Sequence, residues 1–269
     1  MPASDQILLS NPLRDPRTIV RRYLAIAAGL LLISWMVKDV VIDEVDWKRL
    51  GGTAELLKTL SYFVPDWTFF PQIVRPLLET LLMAFWGTLL AVCLAMPVAF
   101  MAARNITPHR WVTYPIGRAL IVLSRSTHEV IFALIYVAAL GLGPLPGILA
   151  LASRSLGFVA KTTAEAIENV NRGPIEAMEA AGASPLAVFL YAVMPQVMPA
   201  FAGNVIFSLE INLRRASILG LVGAGGIGYV FAEAMQSLQY DRVGTIVIGL
   251  IGLVVAGEFI SNRVRARIL

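Results

Sequence analysis

The chain has 269 residues, 57% of them hydrophobic and 15% charged, with a mean hydropathy of +0.72 and a formal net charge of +4. A soluble domain is nearer half apolar and a quarter charged, so this composition excludes a conventional soluble enzyme and leaves no room for a separate soluble domain. The arginines cluster at the ends of apolar runs, which points to a membrane surface and not to nucleic acid, while the single Cys93 and the two histidines, His109 and His128, exclude an internal disulfide and provide no metal cluster.

In chain order, residues 1–22 are polar and proline-bearing. Tyr23–Val41 is too long for the apolar core of a secretory signal and lacks a small-residue cleavage site, so a retained first span is expected. A crossing helix takes about 20 mostly apolar residues. Five more candidates follow: Leu77–Ala103, a third within Ile116–Leu142 whose start Arg118 and Arg125 leave open, Leu145–Ala160 after the breaker run Gly141-Leu142-Gly143-Pro144, Ala200–Leu221, and Val243–Ser261. The expected fold is all-α and polytopic, with about six membrane helices. Residues 1–76 supply a tail, the first span and a loop over Lys38–Arg75, with Trp47 and Trp67, that lies along the outer surface.

Lys and Arg counts orient such a chain. With the N-terminus inside, inner segments hold Arg14, Arg17, Arg21, Arg22, Arg104, Arg110, Arg118, Arg172, Arg263, Arg265 and Arg267. Outer segments hold Lys38, Lys48, Arg49, Lys58, Arg75 and Arg242. Eleven against six favours both termini in the cytoplasm.

That topology puts residues 161–199 on the cytoplasmic side. Their charges are mostly acidic: Glu165, Glu168, Glu176 and Glu179. Glu176–Ala181 favours helix. Gly182-Ala183-Ser184-Pro185 is a turn, with Ser184 as N-cap and Pro185 in the first helical position. A second short helix over Leu186–Met194 is expected to end or kink at Pro195. On composition alone this is an ordinary interfacial hairpin.

The spacing adds more. Glu176-Ala177, Gly182 and then Pro195 resemble the EAA loop, the cytoplasmic coupling element of ABC-importer permeases, with Met178 where the family usually has alanine. The stretch Glu210-Ile-Asn-Leu-Arg214-Arg-Ala-Ser-Ile-Leu-Gly-Leu-Val-Gly-Ala-Gly-Gly-Ile-Gly228 is similar to a segment of phosphonate-importer permeases, which share the methionine-importer-like fold. Arg125-Ser126-Thr127-His128-Glu129 is similar to an Arg-Ser-x-Pro-Glu signature in the same relatives, with His128 in place of the proline. Gly141-Leu142-Gly143-Pro144 fits as well. The resemblance covers residues 77–269, the expected permease core. It implies that Glu176, Ala177, Glu179, Gly182, Ala183, Ser184 and Pro195 contact an ATPase. It also implies a second copy of the chain, two cytoplasmic ATPase subunits and a periplasmic binding protein as partners, in a bacterial inner membrane.

Gly223-Ala-Gly225-Gly226-Ile-Gly228 matches G-x-G-x-x-G, but a dinucleotide site needs a strand before it and a βαβ unit around it. It follows a membrane span instead, and is expected to be a tightly packed turn near the substrate gate. No G-x-x-x-x-G-K-[ST] occurs, so the chain is expected to bind no cofactor, with ATP and Mg on the partner ATPase.

Charged residues within spans mark a pathway or a pair. The candidates are Arg125, Glu129, Arg154, Glu210, Asn212, Arg214 and Arg215. Glu210–Arg214 and Arg125–Glu129 have i,i+4 spacing with potential to pair, which leaves Arg154 and Arg215 without a local partner. Four arginines against two glutamates suit an anionic substrate, because the guanidinium fork binds two oxygens at once.

The reading is therefore a non-catalytic permease subunit, homodimeric, for phosphonate or a related phosphorus oxyanion such as phosphite or a phosphate ester. A permease for methionine or another amino acid is the alternative within the importers. An ion-coupled secondary transporter would favour inverted repeats of broken helices, and a membrane enzyme would need clustered acid–base or metal groups. Neither pattern is evident.

Overall fold

The computed structural model describes residues 16–43 and 53–268, and the chain divides into two compact units, Met1–Ser61 and Tyr62–Leu269. The smaller unit holds α1 (Pro16–Val37), a π-helical turn (Lys38–Asp43) and α2 (Thr53–Ser61). Ile19–Val40 is long and apolar enough to cross a membrane, as expected of the first span. Trp47 lies outside the described residues.

In the larger unit a 3₁₀ turn (Trp67–Phe69) leads into α3 (Phe70–Ala102). Asp66 caps the turn, its Oδ1 accepting from the Thr68 amide at 2.9 Å. The helix expected from Leu77 thus starts earlier, and its 33 residues rise about 50 Å at 1.5 Å per residue. Then follow α4 (Thr113–Ser126), α5 (Glu129–Leu140), α6 (Pro144–Glu168), α7 (Arg172–Ala180), α8 (Pro185–Val188), a π-helical turn (Phe189–Val193), α9 (Met194–Leu219), a 3₁₀ turn (Gly220–Val222), α10 (Gly226–Gln236) and α11 (Tyr240–Ile268). Among the described residues there is no strand.

The core of this unit forms where α6 packs against α3, α4, α5 and α9. Lipid tails give apolar helices no hydrophobic reason to associate, so close approach of small residues has to hold them together. Ala84, Gly87, Ala91 and Ala95 of α3 are buried, as are Gly147, Ala150, Gly157 and Ala160 of α6. At Gly87 the two helices approach closely, since a Cβ there would sit 2.8 Å from the Leu151 Cβ. Ser124 ties α4 to α6 by accepting from the Gly157 amide at 2.9 Å and donating to the Ser153 carbonyl.

Two expectations need correction, and a third is met in part. The third span is not continuous: α4 and α5 meet at a 90° bend. Thr127 (φ −100°, ψ 132°) and His128 (φ −72°, ψ 144°) are extended, which ends the helical ladder without any proline. The His128 ring then caps the restart by accepting from the Val130 amide. Length and apolarity alone do not reach the expected count of about six. Among the described residues four helices are long and apolar enough to cross a membrane, or five if the bent pair forms one span. The 25-residue α6 has the length, but Arg154, Lys161, Glu165 and Glu168 interrupt its apolar character. Such a helix is tolerated because its other face is packed inside the bundle.

Finally, Pro195 does not end a short helix. Residues 185–219 run on through the π-helical turn, and Pro195 falls in the first turn of α9. The widened turn shifts the hydrogen-bond register there, so the amide that proline lacks is not needed.

Candidate functional site

Three groups of the expected residues gather at separate places. The first is built on α7, α8 and the turn between them. Asn171 opens α7, its Oδ1 accepting from the Gly173 amide at 3.0 Å. The helix closes in a Schellman motif: the Gly182 amide donates to the Glu179 carbonyl and the Ala183 amide to the Met178 carbonyl, both at 3.0 Å. That motif needs a left-handed residue after the last helical one, and Gly182 supplies it at φ +78°. Ser184 then starts α8, its Oγ accepting from the Ala187 amide at 3.3 Å.

Glu176, Glu179 and Ala183 line a groove of about 470 Å³ together with Glu168, Arg172 and Phe189. Ala177 and Gly182 are exposed beside it, and Pro195 lies away from it on α9. The groove carries three carboxylates against one arginine, so a partner with basic groups suits it.

Two residues that sequence reasoning missed lock this region to the bundle. Gln196 of α9 grips the start of α7: its Oε1 accepts from the Asn171 amide at 2.8 Å and its Nε2 donates to the Asn171 carbonyl at 3.3 Å. Glu168, at the end of α6, accepts through one oxygen from the Arg104 amide at 2.8 Å and from the Arg118 guanidinium at 2.9 Å. Arg118 lies on α4, so Glu168 joins α4, α6 and the groove wall. Nearby, the Tyr114 hydroxyl accepts from Arg104 Nε at 2.9 Å, and this hydrogen bond raises the arginine pKa above its ordinary value.

The second group is a pair of carboxylate centres. Glu129, the first residue of α5, is 7% exposed. Its Oε1 lies 3.2 Å from Arg215 Nε and its Oε2 lies 3.9 Å from Arg154 Nε. So the two arginines that lack local partners share one carboxylate supplied by another helix. The anticipated Arg125–Glu129 pair does not form, because the break at Thr127-His128 removes the i,i+4 geometry. Arg125 is exposed and makes no ion pair among the described residues.

Glu210 holds Arg214 at 2.7 Å, as its spacing predicts, and also Arg265 of α11 at 3.7 Å. The sequence neighbours Arg214 and Arg215 therefore turn to different carboxylates. Asn212, between Glu210 and Arg214 in sequence, is 1% exposed. Its Nδ2 donates to Thr88 Oγ1 at 2.9 Å and its Oδ1 accepts from Ser155 at 2.8 Å. It joins α3, α6 and α9 in a satisfied buried network.

The third group is the glycine turn. Gly223, Gly225 and Gly226 have φ of +87°, +80° and +69°, while Gly228 is buried inside α10. The Gly223 carbonyl accepts from the Gly143 amide at 3.0 Å, joining this turn to the breaker run before α6. Two residues of α3 pin the start of α10: Glu79 accepts from the Gly226 amide at 3.0 Å and Thr80 from the Ile227 amide at 2.8 Å. These contacts span too much sequence for local spacing to reveal. A small depression of about 260 Å³, lined by Glu79, Leu142 and Tyr229, opens beside the turn.

Comparison with known proteins adds to this geometry. The family model described as "Binding-protein-dependent transport system inner membrane component" matches residues 95–268. The chain is similar to the putative phosphite transport system permease protein HtxC of Stutzerimonas stutzeri, with 35% identity over 98% of this chain and 93% of that one. It is 43% identical to the phosphite transport system permease protein PtxC of the same organism, over 75% of this chain and 73% of that one. Among solved structures, a chain of the MetNI methionine ABC transporter superposes with a TM-score of 0.65 at 22% identity, covering 76% of this chain and 99% of that one.

Proposed function

The chain belongs to the inner membrane components of binding-protein-dependent transport systems, the non-catalytic permease subunits of ABC importers, and on that premise we propose that it imports a phosphorus oxyanion such as phosphite or a phosphonate. The observation that carries the substrate reading is the Glu129 centre, where Arg154 and Arg215 converge on one buried carboxylate. Guanidinium groups suit tetrahedral oxyanions, and charges are kept in a membrane protein's interior at a cost that function has to justify. The names of the phosphite permease relatives support the same class.

We propose the remaining roles on the same basis. The groove around Glu176, Glu179 and Ala183, with Gly182 and Ser184 shaping its rim, takes a separate ATPase subunit on the cytoplasmic side. ATP and Mg bind there and not here. Because residues 185–219 are helical throughout, movement at the groove passes directly into α9, which carries Glu210, Arg214 and Arg215. The Gly223–Gly228 turn serves the gate on the opposite side, where a periplasmic binding protein delivers substrate. Two copies of the chain form the pore, and both termini face the cytoplasm.

Expressed with its ATPase, the chain should purify as two permeases with two ATPases. Binding protein loaded with phosphite or methylphosphonate should stimulate hydrolysis by this complex, and methionine-loaded binding protein should not. Stimulation by a methionine-loaded partner alone would transfer the chain to the amino-acid permeases.

A further inference from the structure

We propose that the Glu129 carboxylate is a resident stand-in for the substrate anion, holding Arg154 and Arg215 between transport events and giving them up when an oxyanion arrives. This rests on the anion-pathway reading above and adds a competition that the reading does not require.

The geometry sets the carboxylate behind its arginines. The Glu129 side chain is 10% exposed, whereas those of Arg154 and Arg215 are 22% and 26% exposed. Both arginines reach the carboxylate through Nε. Among the described residues neither guanidinium makes a further side-chain hydrogen bond, so each keeps terminal donors for a second acceptor. Two guanidiniums on one carboxylate leave a local excess of one positive charge. An incoming oxyanion is attracted by that excess. Once seated, it repels the carboxylate and weakens its hold on the same donors.

Glu129 has freedom to respond. It is the first residue of α5, immediately after the extended Thr127-His128 break, and has no i−4 helical partner on its own helix. When the anion leaves, the carboxylate returns and the arginines are not stranded without a counter-charge. A neutral solute gains nothing from this exchange, because it brings no charge to replace the one displaced.

The test uses the assembled complex in lipid nanodiscs, without binding protein, and radiolabelled phosphite as probe. A carboxylate that holds the pair roughly nine-tenths of the time lowers apparent anion affinity about tenfold. Glu129→Gln should therefore bind phosphite about tenfold more tightly than wild type, while saturated uptake in the full system falls because release loses its competitor. Glu129→Asp keeps the charge on a shorter arm and should show an intermediate gain, which decides the matter if the glutamine variant does not assemble. Unchanged or weakened phosphite binding in the variant that assembles would overturn the proposal, leaving Glu129 as a residue that merely positions the arginines. Loss of phosphite binding in Arg154→Leu and Arg215→Leu, with unchanged affinity in the Glu129 variants, rejects the displacement alone. Wild-type binding in both leucine variants rejects the anion pathway, and the displacement with it.

Discussion

A Gly182→Trp variant should insert and fold as the wild type does, yet lose uptake and association with the ATPase. The expectation rests on the site's unusual combination of backbone and space. Gly182 has φ +78°, and a Cβ built there meets nothing within 4 Å. An added side chain therefore disturbs no packing inside the permease and projects beside the acidic groove. If the groove receives the ATPase, the indole occupies the partner's volume. Disruption at the packed centre of an interface costs about 2 kcal/mol or more, about 30-fold in association. Part of the loss will be backbone strain, since a left-handed conformation costs an L-residue about 1–2 kcal/mol. Gly182→Ala isolates that part and should retain most uptake. Measuring uptake together with co-purified ATPase checks both variants. Full uptake in Gly182→Trp would remove the groove from the coupling pathway.

The second large effect is expected at the Glu129 centre. Replacing Arg215 or Arg154 singly with leucine leaves the carboxylate one arginine, so each variant should assemble and hydrolyse ATP while losing uptake. Replacing both strips the buried carboxylate of its counter-charges, which costs about 3–5 kcal/mol and should lower yield. Adding Glu129→Gln to the double variant removes the stranded charge. Yield should recover and uptake should not, which separates holding the fold from moving the anion. An arginine idle at a helix centre costs at least about 2.5 kcal/mol on insertion scales, so leucine variants of idle arginines would insert better and transport normally. Normal uptake in both single variants would dissociate these arginines from transport.

What the sequence makes legible here is mostly local. Length and apolarity identify the long helices. Glycine at Gly182 and serine at Ser184 specify a helix end and a new start within a few residues, and both caps form as expected. The Glu210–Arg214 pair is one turn apart and forms. Contacts between distant segments are not written in any window. Arg154 and Arg215 look unpartnered because Glu129 lies on a different helix, and Glu79, Glu168 and Gln196 act on backbone far along the chain. The break before Glu129 is hidden for another reason. Helix ends are usually signalled by proline or glycine, and here Thr127 and His128 do the work with extended backbone and a ring cap. Pro195 misleads in the opposite direction, since the π-helical turn before it lets the helix continue.

The central claim is tested most directly by uptake into proteoliposomes holding the permease and its ATPase, with ATP inside and the binding protein outside. The account predicts accumulation of radiolabelled phosphite or methylphosphonate that stops when the binding protein is omitted or the ATPase is inactivated. Accumulation driven by an ion gradient without the ATPase, or accumulation of methionine with no uptake of either phosphorus oxyanion, would contradict it.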